Sequence, residues 1–417
     1  MEQADSSTKT EAKRGAMVAL SLAMLLASLG TSIANIALPA LSAAFDAPFA
    51  QVQLVVVAYL ASLTVSAILA GRLGDRFGHR RMLLAGLGLY AAASAFCGLS
   101  AGIWTLVAAR SVQGFAAAFL MTLTIALVRE AAAPDRIGRA MGLLGTMSAV
   151  GTALGPSLGG FLIAALDWRA VFLVLVPVGL AASGMALRYL PADKSKAATP
   201  AISFAVLRDR DLAGSLIANL LVAAVMMTTL IVGPFYLGLA LGLPEAMVGL
   251  VMTAGPVISI FSGVPSGRLV DARGPRSVLA IGLIALGAGS FALTVLPELI
   301  GVAGYIVAIA VLTPGYQLFQ AANNTAVMAG GQAGQRGTLS GLLNLSRNLG
   351  LIAGASAMGA VFSFGAGTGE IEKAAPGAIA GGMQLAFAVA AGLIAVAFLV
   401  SRRPADVPAV QDGRTVQ

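Results

Sequence analysis

The sequence predicts an all-α membrane protein whose twelve transmembrane helices form two pseudo-symmetric six-helix bundles. Composition is the first reason: 58% of the 417 residues are hydrophobic and 11% charged, with mean hydropathy +0.90. A soluble domain carries roughly 25% charge, so this chain must turn its apolar surface to lipid. The second reason is a set of twelve apolar runs, each near the 20 or so residues that cross a bilayer as a helix. The third is a repeat. Residues 71–80 read Gly-Arg-Leu-Gly-Asp-Arg-Phe-Gly-His-Arg, and 196 positions later residues 267–276 read Gly-Arg-Leu-Val-Asp-Ala-Arg-Gly-Pro-Arg, with six of ten positions identical. One charged turn per half indicates two copies of one bundle, a plan used by many membrane transporters.

In the first half the runs fall near 16–39, 52–70, 82–100, 104–127, 140–164 and 168–189. The second half repeats the count near 212–238, 246–266, 277–296, 300–322, 338–362 and 378–400. The ten-residue alternation of a membrane β-barrel is absent from the sequence. The expected organisation is an N-terminal tail over 1–15, bundles over 16–190 and 212–400, a polar linker over 191–211 and a C-terminal tail over 401–417. Phe204 and Leu207 give the end of the linker a route onto the membrane surface. The uncharged stretch after Arg14 exceeds the 7–15 residues of a signal-peptide core and reads as a retained first helix.

The net charge of +8 is spread over alternate loops, which argues against a nucleic-acid face. Of 26 Lys and Arg, 22 fall in the tails, the linker and the even-numbered turns, so both termini are expected in the cytoplasm. Only Arg169 and Lys373 lie in opposite-side loops. One cysteine, Cys97, and one histidine, His79, supply neither a disulfide framework nor a metal cluster, and no cofactor or metal is expected. No acid/base or nucleophile set is evident, so an enzyme is not expected. A sensor would need a signalling domain, whereas the longest polar segment is about 22 residues. A phosphate-binding loop of the Gly-x-x-x-x-Gly-Lys-Ser/Thr kind is missing, which leaves a gradient as the energy source.

Gly71, Gly74 and Gly78 read as the residues of a tight reversal, with Asp75 placed to cap the next helix or to pair with neighbouring cations. With Arg76 and Arg80, and Asp271 in the second copy, this becomes a candidate latch for gating. In span 5, Gly151, Gly155, Gly159 and Gly160 form a small-residue face, and Pro156 removes a backbone hydrogen bond and bends the helix.

Arg110 and Arg347 lie inside spans, where a charge costs about 2.5–3.5 kcal/mol on insertion scales. Snorkelling, a tie to helix carbonyls, or contact with a bound solute each offsets that cost. Asn344 and Arg347 share a helical face and Asn348 stacks one turn from Asn344, while span 10 lines up Tyr316, Gln317, Gln320, Asn323 and Asn324. Together with Gln113 near Arg110 they outline a polar interior between the bundles. Asn35, Tyr59, Asn219 and Tyr236 are further wall candidates, although each single amide also serves as glue between helices. A cavity of scattered amides, aromatic hydroxyls and guanidinium suits a neutral or anionic amphipathic solute.

Through these motifs the chain resembles the major facilitator superfamily over nearly its full length. Residues 71–81 match that family's loop signature. Arg110-Ser-Val-Gln113-Gly114 and Gly151-Thr-Ala-Leu-Gly155-Pro156-Ser-Leu-Gly159-Gly160 are similar to its drug-exporting branches, the latter to the signature of antiporters. Asn35-Ile-Ala-Leu-Pro39, Val55-Val-Val-Ala-Tyr59-Leu60, Asp167-Trp168-Arg169 and Gly341 through Gly350 extend the likeness. One departure stands out: those exporters usually carry an aspartate shortly before the asparagine, and the aligned position here is Gly30.

The resemblance implies a monomeric secondary active transporter of the bacterial inner membrane that exports a small amphipathic solute or drug in exchange for protons or a counter-solute. An importer or exchanger of a sugar or organic anion is the alternative, with a channel or non-transporting sensor behind it. The substrate-binding candidates are Asn35, Tyr59, Arg110, Gln113, Tyr236, Gln320, Asn324, Asn344 and Arg347. The gating candidates are Gly71, Asp75, Arg76, Arg80, Gly155, Pro156 and Asp271.

Overall fold

A computed structural model describes residues 2–131, 137–192, 210–330 and 336–401. Most of the expected linker, with Phe204 and Leu207, and the C-terminal tail lie outside the described residues. The first half contains α1 (Glu2–Ile36), α2 (Leu38–Phe45), α3 (Phe49–Phe77), α4 (His79–Gly98), α5 (Ile103–Ala131), α6 (Ile137–Ala165), α7 (Ala170–Leu173) and α8 (Leu175–Tyr189). The second contains α9 (Arg210–Phe235), α10 (Glu245–Arg273), α11 (Pro275–Gly330), α12 (Arg336–Ala353), α13 (Gly359–Gly365) and α14 (Pro376–Ser401).

Eleven of the described helical stretches are long and apolar enough to cross a membrane. One of them, Pro275–Ala329, spans 55 residues and crosses twice, because its backbone leaves the helix at Ile300 and at Gly301, where φ is +57°. Glycine adopts that left-handed geometry without the Cβ penalty, which makes Gly301 the turning point of a short hairpin. Twelve crossings result. Proline shapes several of them. Pro39 opens α2 at the point where α1 stops, so span 1 is broken near its end. Pro234 removes an N–H from the last turn of α9, and the helix continues as a π turn over Tyr236–Ala240. A second π turn, Gly354–Met358, joins α12 to α13.

Lipid supplies no hydrophobic force between helices, so close approach of backbones has to hold the bundle together. In the first half the seam runs between α6 and α1. A Cβ on Gly151 would sit 2.6 Å from the Leu25 carbonyl oxygen, one on Gly155 2.0 Å from Ser32 Oγ, and one on Gly159 2.4 Å from Ile36 Cγ2. Nothing larger than glycine fits at this four-residue spacing. The second half repeats the device. A Cβ on Gly350 would lie 2.2 Å from the Leu220 oxygen of α9, and one on Gly354 would lie 2.4 Å from the Ala224 oxygen. Outward faces carry Val65, Phe96, Phe161, Phe261 and Phe364, all exposed, as lipid contact requires.

Two readings of the sequence change. The charged signature is largely helix and not loop: α3 runs through Gly71, Gly74, Asp75 and Arg76 to Phe77, and only Gly78 (φ +100°) turns the chain. Gly74 serves packing instead, since a Cβ there would lie 2.4 Å from Leu123 Cδ2. The second copy behaves alike, with Asp271 inside α10 and Gly274 (φ +79°) at the turn. Asp75 does not cap α4, whose N-cap is Gly78 without a side-chain bond. The N-terminal tail is also helical, because α1 reaches back to Glu2.

Candidate functional site

The halves meet near the end of the molecule that carries Asp46. Phe49 at the start of α3 stacks edge-on against Phe235 of α9 (5.0 Å between centroids) and Phe362 of α13 (5.4 Å), and all three rings are buried. One turn along α3, Gln53 Nε2 donates to the Ala355 carbonyl in the second π turn. The Phe49 amide donates to the Gly369 carbonyl at 3.1 Å. On the other flank α6 crosses α10 at two glycines: a Cβ on Gly160 would lie 2.6 Å from the Glu245 oxygen, and one on Gly249 would lie 2.5 Å from the Pro156 oxygen. Gly155 therefore faces α1 within its own half, whereas the Pro156 carbonyl faces the opposite half.

The in-span arginines part company. Arg110 is fully buried inside the first bundle, where α1, α3, α4 and α5 converge. Its Nε donates to the Val55 carbonyl (3.1 Å), and Nη1 donates to the Gly30 carbonyl (3.2 Å) and to Gln113 Oε1 (2.5 Å). Gln113 Nε2 donates onward to Ser94 Oγ at 2.7 Å. The guanidinium carbon lies 4.1 Å from the centroid of the Tyr59 ring, within cation–π range. Tyr59 and Tyr90 donate their hydroxyl protons to the carbonyls of Ala27 and Leu26. Five donors in a fixed fork let one arginine tie three helices, which a lysine cannot reproduce. Gly30 belongs to this node, since a Cβ there would lie 1.8 Å from the Tyr90 oxygen. The tyrosine hydroxyl takes the room that a side chain at position 30 would need.

Of the nine substrate-binding candidates, five are packed away from any open surface: Tyr59, Arg110 and Gln113 in this node, Asn35 bonded to the Thr31 and Ser32 carbonyls, and Tyr236 donating to the Pro297 carbonyl at 3.1 Å. Asn219 is likewise internal, tying α9 to the Leu343 carbonyl and Ser346 Oγ of α12. Asn323 is fully buried. The other four candidates are accessible. Asn344 and Arg347 are exposed on the α12 face that borders Leu343, Ser346 and Gly350, the residues packed on α9. Asn324 of α11 is exposed, and Gln320, half-buried, donates to the Tyr316 hydroxyl at 2.8 Å. Arg347 lies about 16 Å along its helix from Arg336, at a rise of about 1.5 Å per residue.

At the opposite end, His79 pairs with Asp75 (3.1 Å) and Arg80 Nη2 donates to the Leu187 carbonyl of α8 (2.6 Å), so the first signature grips its own bundle. Arg76 lies over the neighbouring Phe77 ring, and Asp271 is exposed. Sequence reasoning missed the residues that join the halves. Gln53, which with Gln51 opens an otherwise apolar run, was the one local signal; Phe49, Phe235 and Phe362 look like any other lipid-facing ring until α3, α9 and α13 are brought together.

The family model of the major facilitator superfamily matches residues 20–355. The chain belongs to that superfamily. It is 28% identical over 399 residues to the uncharacterised transporter YebQ of Escherichia coli K12, covering 82% of this chain and 87% of that one. It is 26% identical to the multidrug efflux pump LfrA of Mycolicibacterium smegmatis, covering 87% of this chain and 84% of that one. Among solved structures, an inward-facing, unoccupied bacterial homologue of the human lysosomal transporter Spinster superposes with a TM-score of 0.79 at 16% identity, covering 95% of this chain and 99% of that one. The protein is a multi-pass membrane transporter of the major facilitator superfamily, and its fold is the fold of that family.

Proposed function

We propose that this transporter works by alternating access as a secondary active exporter of a small amphipathic organic solute, neutral or anionic, in a bacterial inner membrane with both termini cytoplasmic. One observation carries the reading: the halves are pinned together at the Asp46 end by Phe49, Phe235, Phe362 and Gln53, while Asn344, Arg347 and Asn324 remain exposed between that seal and the other end. The positive-inside distribution of Lys and Arg supports a cytoplasmic Gly78 end, opposite the seal. A guanidinium facing lipid there would cost about 2.5–3.5 kcal/mol, a cost that water in a cleft or an acceptor group on a solute removes. Arg347, Asn344, Gln320 and Asn324 are the assigned solute contacts. Arg110, Gln113, Tyr59, Asn35 and Tyr236 hold the bundles in shape.

Export is supported by the likeness to an efflux pump along most of the chain. An exchange of two solutes is the second reading, favoured by the placement of acids: among the described residues every Asp and Glu lies in a loop, in the stretch of α1 ahead of its span, or near the end of a span. No buried carboxylate is offered there to carry a proton across the middle. Saturable counterflow in proteoliposomes, lost in Arg347→Gln and measured with and without a pH gradient, tests the proposal. Flux that does not saturate, or counterflow unchanged in Arg347→Gln, contradicts it.

A further inference from the structure

A half-open cavity of about 340 Å³ lies at the Asp46 end, on the line where the halves meet. One wall is Ile36 and Pro39 of α1 and α2; the other is Leu239 and Val248 from the first π turn and α10. Its volume falls in the range of small-molecule sites, and the wall is apolar apart from two carboxylates, Glu245 and Glu372. Glu372 comes from the short 3₁₀ turn Ile371–Lys373 after α13. It is half-buried, and its Oε1 is enclosed without a hydrogen-bond partner among the described residues. The adjacent cation, Lys373, is pulled outward by Glu370, at 2.8 Å on the surface. Two acids, the exposed Glu245 and the half-buried Glu372, which also interacts with the Ser42 hydroxyl and the Ala43 amide, therefore line an apolar hollow.

We propose that this cavity is an external site for amphipathic organic cations, and that a cation bound there wedges between the halves and holds the Asp46 end closed. Charge and shape select the ligand class. An ammonium or phosphonium charge is attracted to the two carboxylates across the low-dielectric hollow, and an apolar body covers the Ile36, Pro39, Leu239 and Val248 wall. Because the walls belong to different halves, the cavity has this shape only while they touch. A ligand that binds one state shifts the population toward it in proportion to its differential affinity. Such a cation acts from outside as an inhibitor, whatever solute the central cleft carries. The word external rests on the orientation proposed above; the cavity and its ligand class do not.

The test uses two cysteine reporters in the full chain, with the native Cys97 fully buried and silent. Ala43, exposed on the cavity rim, becomes Ala43→Cys, and Ala50, exposed but outside the cavity, becomes Ala50→Cys. Each is labelled with a membrane-impermeant maleimide in the presence of tetraphenylphosphonium or of tetraphenylborate, its anionic twin of the same shape. Tetraphenylphosphonium is expected to slow labelling of Ala43→Cys about tenfold, to leave Ala50→Cys unchanged, and to lose that protection when Glu372→Gln or Glu245→Gln is added, but not when Arg347→Gln is added. Equal protection by both ions, no protection by either, or protection that survives both glutamine variants overturns the site. Protection that also appears at Ala50→Cys makes the effect a general conformational change and overturns it as well. Labelling in inverted vesicles but not in intact cells refutes the orientation, and thereby the exporter's geometry, while the protection pattern still decides the cavity.

Discussion

Gly249→Ala tests the crossing of the two halves most sharply. A Cβ at this position lies 2.5 Å from the Pro156 carbonyl oxygen and 3.1 Å from Gly160 Cα. Weak C–H···O contacts settle at about 3.3–3.6 Å, so α6 and α10 must part by roughly 0.8 Å at this point. Overpacking of this kind costs about 1–3 kcal/mol when the structure has to absorb it. Here the strain has an outlet, because the atoms in conflict belong to opposite halves and separation of the Asp46 end relieves it. Spent entirely on the equilibrium between closed and open, that range shifts the population by about 5- to 150-fold. The assay is maleimide labelling from outside of Ala355→Cys, a fully buried position beneath the Gln53 contact. Labelling is expected to accelerate by at least fivefold in Gly249→Ala. The control Gly184→Ala, where a Cβ meets nothing within 4 Å, leaves the rate unchanged. If Gly249→Ala labels at the parental rate while the protein remains folded, the crossing is not where the halves separate, and the reasoning from close packing fails.

Arg110→Lys lowers the unfolding temperature in detergent by several degrees, because the bonds to Val55, Gly30 and Gln113 need a fork of donors; a Tm equal to the parent's contradicts the tie. Gly155→Ala destabilises by the cost of moving α6 off Ser32, about 1–3 kcal/mol, whereas Gly145→Ala is neutral; thermal melts of the two side by side check the seam. Burial raises the pKa of Glu372 above its ordinary 4.5, against the smaller opposing pull of the Ser42 hydroxyl and the Ala43 amide. The folded state therefore holds this proton more tightly than the unfolded chain, a contribution complete below pH 4.5 and lost as pH rises through the folded value. Glu372→Gln accordingly melts higher than the parent at pH 7, and the gap closes at pH 4; a gap of constant size removes burial as the cause.

The spans were legible because crossing a bilayer is a local demand: about 20 apolar residues in a row, whatever their neighbours do. Even the reversal inside α11 was marked, by Pro297 and Glu298 just ahead of Gly301. What failed was the meaning of individual glycines. Gly71 and Gly74 have the look of a turn, yet a glycine that lets a helix approach Leu123 and one that reverses the chain are the same letter, and the neighbour that decides is some 50 residues away. The arginines make the same point. Arg110 and Arg347 are equivalent as charges in apolar runs, and only the carbonyls of Gly30 and Val55, brought in by α1 and α3, make the first a structural tie. Phe49, Phe235 and Phe362 left no sign at all, since a seal is a relation among three distant segments.

The central claim is that the ends open and close in opposition. Spin labels at Ala50→Cys and Gly369→Cys report the Asp46 end across the halves, and labels at Phe77→Cys and Ala272→Cys report the other; all four positions are exposed. Pulsed electron–electron distances in nanodiscs are expected to show the first pair short in the resting protein, and to lengthen it in Gly249→Ala while the second pair shortens. Two distances that lengthen together, or a first pair that is already long at rest, contradict alternating access built on this seal.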